Sequence, residues 1–240
     1  MCTLTFVPGE DGYVLGMNRD EKISRGHASP PATSKADPGS AIYPRDVEGG
    51  TWIAANDIGI AFALLNWNDA HPLHPRTCTR GGVIPALLTS TSSQNVNVTL
   101  EALELRGILP FRLVGVFPGE KRIVEWCWNQ SSLDHETLGW HNAQWCSSSL
   151  SDARAATRRG LSYARAQHEA DAGSVAWLRR LHASHDDEET PLSTCVHRTD
   201  VKTLSYTEFV CTAEAVHCNY LAASPCSPEN AMQSLSMIRL

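Results

Sequence analysis

The chain has 240 residues, 42% hydrophobic, 19% charged and 7% aromatic, and its 20 Lys+Arg against 26 Asp+Glu give a formal net charge of -6. That balance excludes a disordered chain, a collagen-like repeat and the basic field that nucleic-acid binding needs. With no run of about 18 apolar residues it also excludes a bilayer-spanning helix, leaving a soluble globular protein with room for a sizeable core.

Thr3 to Val7 reads as a short strand and Gly12 to Asn18 as its hairpin partner, turned by Pro8-Gly9-Glu10-Asp11-Gly12. Arg25 to Asp46, broken by Ser-Pro-Pro, Asp-Pro-Gly and Tyr-Pro, reads as a long functional loop. Thr51 to Ala55 and Ile58 to Leu65 form a second hairpin pattern. The latter is almost continuously apolar, which predicts burial on both faces. Gly81 to Thr89 and Val96 to Arg106 read as helices, the second stopped by Gly107. Phe111 to Phe117 and Lys121 to Trp128 make a third hairpin, and Thr137 to Asn142 and Gln144 to Ser148 two more short strands. A long Ala/Arg-rich helix starts at Ser151 or Asp152 and runs toward Glu169, with Gly160 as a point of interruption; a shorter one covers Ser174 to Leu181. His185 to Glu189 reads as a solvated acidic loop. Thr194 to Arg198, Thr203 to Val210 and Ala215 to Tyr220 return to strand. Strands at both ends with helices between them predict one α+β domain over residues 1–240, the termini meeting in common sheets.

The eight cysteines are too sparse for a disulfide scaffold, contain no Cys-x-x-Cys pair, and follow no signal peptide. A cytoplasmic protein with reduced thiols is the expectation. Most of them serve as small hydrophobes. Cys2 differs because removal of Met1 would place a thiol and a free α-amine on one residue. An α-amine of pKa about 7.7–8.0 is an available base near neutral pH, and a thiol of pKa about 8.5 beside it is readily made nucleophilic. The hairpin partner ends in Asn18-Arg19-Asp20-Glu21, which returns a polar cluster toward Cys2. Arg19 could depress the thiol pKa or bind a substrate carboxylate, and Asp20 could orient the amine.

At these residues a resemblance enters. Met-Cys-x-Leu-x-Phe, Asn18-Arg19-Asp20-Glu21 and Arg25 look like the opening of the NRDE family, the relatives of the transport and Golgi organisation proteins. Gly49-Gly50-Thr51-Trp52-Ile53, Asn56-x-x-Gly59, Phe62 to Asn66, Thr79-Arg80-Gly81-Gly82, Ser193 to Arg198 and Thr203 to Tyr206 follow in order. That family is similar to N-terminal nucleophile hydrolases of the choloylglycine-hydrolase and penicillin-V-acylase type. The resemblance implies a four-layer αββα sandwich of two antiparallel sheets. It also implies Cys2 as nucleophile with its own amine as base, Asp20 as the holder of that amine, and Asn66 as an oxyanion-hole donor.

Departures from the pattern accompany these matches. Met17 stands where the bile-acid enzymes carry an Arg, though strand alternation puts Arg19 on the same face. The second family asparagine falls near Trp145 to Leu150, where only serines such as Ser148 are available to replace it. Asn18, Trp67, Ser148, His197 and Arg198 complete the expected substrate contacts, Trp67 as a stacking ring at the rim and His197 as a group titrating near neutral pH. Arg25, Arg45 and Arg80 are further candidates for an anionic substrate. No metal is expected: His71-Pro72-Leu73-His74 with Cys78, Cys195-x-His197 and His217-Cys218 all lack a matching second pair in the chain. No nucleotide loop is present, and no cofactor is expected. The composite expectation is a cysteine hydrolase cleaving a non-peptide amide bond of a small molecule. The alternative is a pocket protein of the same fold binding a hydrophobic ligand, lipid or heme. Neither nucleic acid nor a membrane span is expected.

Overall fold

A computed structural model describes residues 2–26, 28–35, 37–185, 190–227 and 231–240. The chain runs through β1 (Cys2–Pro8), β2 (Tyr13–Lys22), β3 (Ser29–Lys35), β4 (Ser40–Arg45), β5 (Ile53–Asn56), β6 (Ala61–Asn66), α1 (Ser93–Ala102), β7 (Phe111–Phe117), β8 (Arg122–Trp128), β9 (Leu133–Leu138) and β10 (Ala143–Ser147). It continues through α2 (Asp152–Ala166), α3 (Val175–Ala183), β11 (Val201–Cys211), β12 (Ala215–Leu221) and β13 (Gln233–Ile238). One sheet has the order β10-β1-β2-β11-β12-β13 and the other β3-β4-β5-β6-β7-β8-β9, all pairs antiparallel. Both ends of the chain thus enter the first sheet.

Side-chain alternation builds the layers. Leu4, Phe6, Leu15 and Phe209 of the first sheet face Ile53, Ala61, Ala63 and Val114 of the second in a fully buried inter-sheet core. The opposite face of the second sheet packs Phe62, Leu113 and Trp126 against Val96 and Leu100 of α1 and a 3-10 turn at Ile84–Leu87. Val7 of the first sheet packs under Trp177, Leu178 and Leu181 of α3 and Ala166 of α2. Three apolar layers between four structural layers give the αββα sandwich. The near-continuous apolar run of β6 is explained by this, since Ala61, Ala63 and Leu65 enter one core and Phe62 and Leu64 another.

Several expectations are corrected. The 25–46 stretch contains β3 and β4, and Pro30 and Pro31 are accommodated because β3 is an edge strand. Gly81 to Thr89 forms two 3-10 turns rather than one helix. The helix after it ends at Ala102, well before Gly107, whose carbonyl accepts hydrogen bonds from Thr77 and Cys78. α2 passes through Gly160 unbroken and is capped by Ser151, whose hydroxyl accepts from the Arg154 N–H. Thr194 to Arg198 is not a strand; it contributes only a single bridge, His197 to Lys202. The acidic run beyond His185 lies outside the described residues, as does Met1. Among the described residues no helix is long and apolar enough to cross a membrane.

Candidate active site

Cys2 begins β1, an interior strand, and is paired on one side with Arg19 of β2 and on the other with Ser147 of β10. Its side chain shares the inward face with Leu4 and Phe6 and is only 6% exposed. The Cys2 backbone N–H donates to Ser147 Oγ at 2.9 Å. Burial pushes the thiol pKa up, Asp20 adds to the rise, and Arg19 opposes it. The thiol is therefore held in its protonated form.

A cavity of about 150 Å³ opens at this end of the sandwich, where Cys2, Arg19 and Asp20 of the first sheet meet Trp52, Asn66 and Arg80 from the second-sheet side. Arg19 lies over the Trp52 indole with its guanidinium carbon 4.5 Å from the ring centroid, and its Nη2 is 4.0 Å from Glu21 Oε2. Asn66 is the last residue of β6, so its side chain emerges where the apolar strand stops. Arg80 Nη1 donates to Asn66 Oδ1 at 2.7 Å, and its Nε donates to the carbonyls of Leu109 and Pro110. A guanidinium has only donors, so the amide oxygen must face Arg80 and the NH2 becomes the donor end left for a ligand. Burial and the neighbouring Arg76 lower the Arg80 pKa to about 10, so it remains a cation at neutral pH.

The two glycine motifs meet in this wall, where Gly81 itself lines the cavity. The Thr51 N–H donates to the Gly81 carbonyl at 3.2 Å, and a Cβ on Gly50 would lie 2.6 Å from the Gly81 Cα. Only glycine at both positions permits that approach. At the mouth Arg25 pairs with Glu21 at 3.0 Å and Asp46 at 3.3 Å.

Beneath Cys2, on the helix-facing side of the sheet, lies a second network. The Asp20 carboxylate accepts from Thr203 Oγ1 at 2.6 Å and from Arg159 Nη2 at 3.3 Å. A register shift in β11 between Thr203 and Ser205 brings the Thr203 hydroxyl there, a common use of a bulge beside a site. Burial raises the Asp20 pKa, with Arg159 and Thr203 pulling against it. Arg159 is 0% exposed. Its Nη1 also donates to the Cys2 carbonyl at 3.2 Å and to Thr3 Oγ1 at 2.7 Å, and its Nε to the carbonyls of Leu192 and Ser193. Asp20 is thus coupled to Cys2 through Arg159 at the carbonyl, while the nitrogen of Cys2 rests on Ser147.

Arg19, Asp20 and Asn66 therefore gather around Cys2, whereas the other expected contacts lie elsewhere. Asn18 points to the helix layer and donates to the carbonyls of His182 and Thr194, both at 2.9 Å. Trp67 follows the strand end and lines a separate surface groove with His71 and Leu73. Ser148 anchors the approach to α2, its N–H donating to Asp152 Oδ1 and its hydroxyl accepting from the Leu150 N–H. Arg198 forks onto Asp200, and His197 sits against Cys195 and Cys226. Arg45 rests on Tyr43 and Ser34, away from the cavity that Arg25 and Arg80 line.

Of the serines between Trp145 and Leu150 it is Ser147, not Ser148, that reaches Cys2, and Arg159 carries no signal in the family motifs. Arg159 was legible in principle: Asp152, Ala155, Arg159, Ser162 and Ala166 recur at helical spacing, and that stripe is the buried face of α2.

A model of the Transport and Golgi organisation 2 family matches residues 1–211. No curated protein matches the chain by sequence. Among solved structures the fold is similar to penicillin V acylase from Agrobacterium tumefaciens, with TM-score 0.57 and 10% identity, covering 99% of this chain and 86% of that one. It is also similar to a mutant conjugated bile acid hydrolase from Clostridium perfringens, with TM-score 0.56 and 10% identity, covering 99% of this chain and 92% of the hydrolase.

Proposed function

The chain belongs to the Transport and Golgi organisation 2 family, and on that premise we propose that it is an N-terminal-cysteine hydrolase cleaving a non-peptide amide bond of a small anionic molecule. The carrying observation is the convergence of Cys2 from one sheet and Asn66 from the other on one charged cavity. The neighbours named above supply precedent for amide hydrolysis on this fold, and nothing more.

Removal of Met1 frees the α-amine of Cys2. That amine takes the thiol proton as sulfur attacks the substrate carbonyl carbon. The oxyanion is held by the Asn66 NH2 and a backbone N–H. Collapse expels the leaving amine, which receives the proton from the α-ammonium, and a thioester remains. Water, deprotonated by the α-amine, attacks the thioester and releases the carboxylic acid and the Cys2 thiol. Ser147 receives the Cys2 nitrogen, and Arg159 steadies the carbonyl of the same residue. Arg19 and Arg80 supply the positive wall for a substrate carboxylate.

A whole-ligand pocket usually measures roughly 300–1,000 Å³. A cavity of about 150 Å³ therefore suits the reacting end of a substrate, with the remainder lying at the Arg25 mouth. Its guanidinium and carboxylate lining favours a polar, anionic molecule over a lipid or heme. Intact mass spectrometry tests the reading first. Loss of Met1, with fast iodoacetamide labelling that Cys2→Ser abolishes, is the expected result; retained Met1 overturns it.

A further inference from the structure

Away from the Cys2 cavity, four metal-binding side chains from three separate segments converge. His185 follows the end of α3, Cys195 and His197 lie in the stretch leading to β11, and Cys226 lies in the loop after β12. One ligand atom from each lies within 4.8 Å of all the others. The Sγ atoms of Cys195 and Cys226 are 3.5 Å apart, and His197 Nε2 is 3.6 Å from the first and 3.1 Å from the second. The His185 and His197 rings lie 4.9 Å apart between centroids. His185 Nδ1 is buried and has no hydrogen-bond partner among the described residues.

We propose that His185, Cys195, His197 and Cys226 bind one zinc ion in a closed Cys2His2 site. Zn–S bonds of about 2.3 Å and Zn–N bonds of about 2.0–2.1 Å place tetrahedral ligand atoms roughly 3.3–3.8 Å apart. The three separations of 3.5, 3.6 and 3.1 Å fall close to that range, so the side chains need to move by only a few tenths of an ångström, and His185 somewhat more. A disulfide fits less well, because 3.5 Å far exceeds the bond length of about 2.0 Å. Two thiolates and two imidazoles select zinc by softness and by tetrahedral geometry. Four protein ligands leave no open position, which makes the site structural.

The backbone around the ligands is already fastened. Cys195 N–H donates to the Ser184 carbonyl at 3.0 Å, Thr203 N–H to the Val196 carbonyl at 2.9 Å, and Ser224 Oγ to the Thr203 carbonyl at 2.7 Å. The same stretch presents the Leu192 and Ser193 carbonyls to Arg159 and the Thr194 carbonyl to Asn18. Zinc would therefore brace the wall that holds Arg159 under Cys2. Chain spacing alone hides the site, since Cys195-x-His197 has no nearby second pair; the fold supplies it from both sides.

The test is elemental analysis of the tag-free full chain, purified under reducing conditions without chelator. About one zinc per chain is expected. His185→Ala and Cys226→Ser should drop it below about a tenth of that, while Cys78→Ser, at an exposed thiol outside the cluster, should retain it. Chelator-stripped wild type titrated with Co2+ gives a second readout that does not depend on the variants folding. Tetrahedral d–d absorption with a thiolate charge-transfer band supports the site. Metal-free protein whose cobalt titration is spectroscopically silent overturns it.

Discussion

The nitrogen of Cys2 is held by the hydroxyl of Ser147, 2.9 Å away across the β1–β10 pair. A free amine at that nitrogen would be oriented by a neutral acceptor, with the Asp20 carboxylate one guanidinium removed. Ser147→Ala takes away the acceptor and leaves a buried donor unmet, a change of about 1–3 kcal/mol. We expect kcat to fall roughly tenfold with KM unchanged, read from steady-state kinetics on an N-acyl amide substrate. An unchanged kcat would remove Ser147 from the positioning role.

Asn66→Ala should reduce kcat by about 10²–10³, the usual consequence of deleting one oxyanion donor. Asn66→Asp should be as damaging, because a carboxylate drawn to Arg80 offers no donor to the cavity. Kinetics on both variants would check this, and a loss confined to KM would reassign Asn66 to substrate binding.

Arg159→Met strands the Asp20 carboxylate in a fully buried site. Removing one partner of such a pair typically costs about 3–5 kcal/mol. Adding Asp20→Asn should restore part of that loss, because the uncompensated charge disappears. Urea unfolding of the two single variants and the double variant measures the coupling. Strict additivity would contradict the pairing seen at 3.3 Å.

His182 is fully buried against Thr5, and burial, with Arg159 nearby, lowers its pKa from 6.5 to about 3. The unfolded chain binds this proton more readily, so the contribution to stability is complete above pH 6.5 and is lost as pH falls through the window toward pH 3. The slope approaches about 1.4 kcal/mol per pH unit. His182→Gln should flatten that limb in chemical unfolding measured across the window. An identical acid limb in the variant would show that other groups control it.

What the sequence disclosed and what it hid follow physical lines. The β1–β2 hairpin and β6 were legible because turn chemistry and double-sided burial are local signals. The meeting of Arg19, Asp20 and Asn66 around Cys2 was legible from the family resemblance and strand alternation. The proline-rich β3 read as loop because its edge position, which tolerates Pro30 and Pro31, is a property of the sheet and not of the segment. Trp67 is suggested by its place directly after Asn66, Ser148 by the family position of a second asparagine, and Arg198 by a late strand expected beside β1. Trp67 and Ser148 depart because β6 and β10 have ended and the next residues turn toward other partners, and Arg198 because its segment forms no strand beside β1 and its guanidinium forks onto Asp200. The His185 and Cys226 association with Cys195 and His197 depends on three loops meeting in space, which no local pattern records.

The contact of Gly50 with Gly81 carries a last consequence. These residues tie the stretch leading through Trp52 into β5 to the turn bearing Arg80, and the separation of the two backbones is limited by hydrogen atoms alone. The stretch carrying Trp52 and the turn carrying Arg80, both of which line the cavity, are thereby held apart by the smallest spacer chemistry provides. One added methyl at either glycine would force these two backbones apart and disturb the cavity wall that Trp52 and Arg80 share. The aperture over Cys2 is a mechanical tolerance set where two backbones touch, not by the charged side chains that line it.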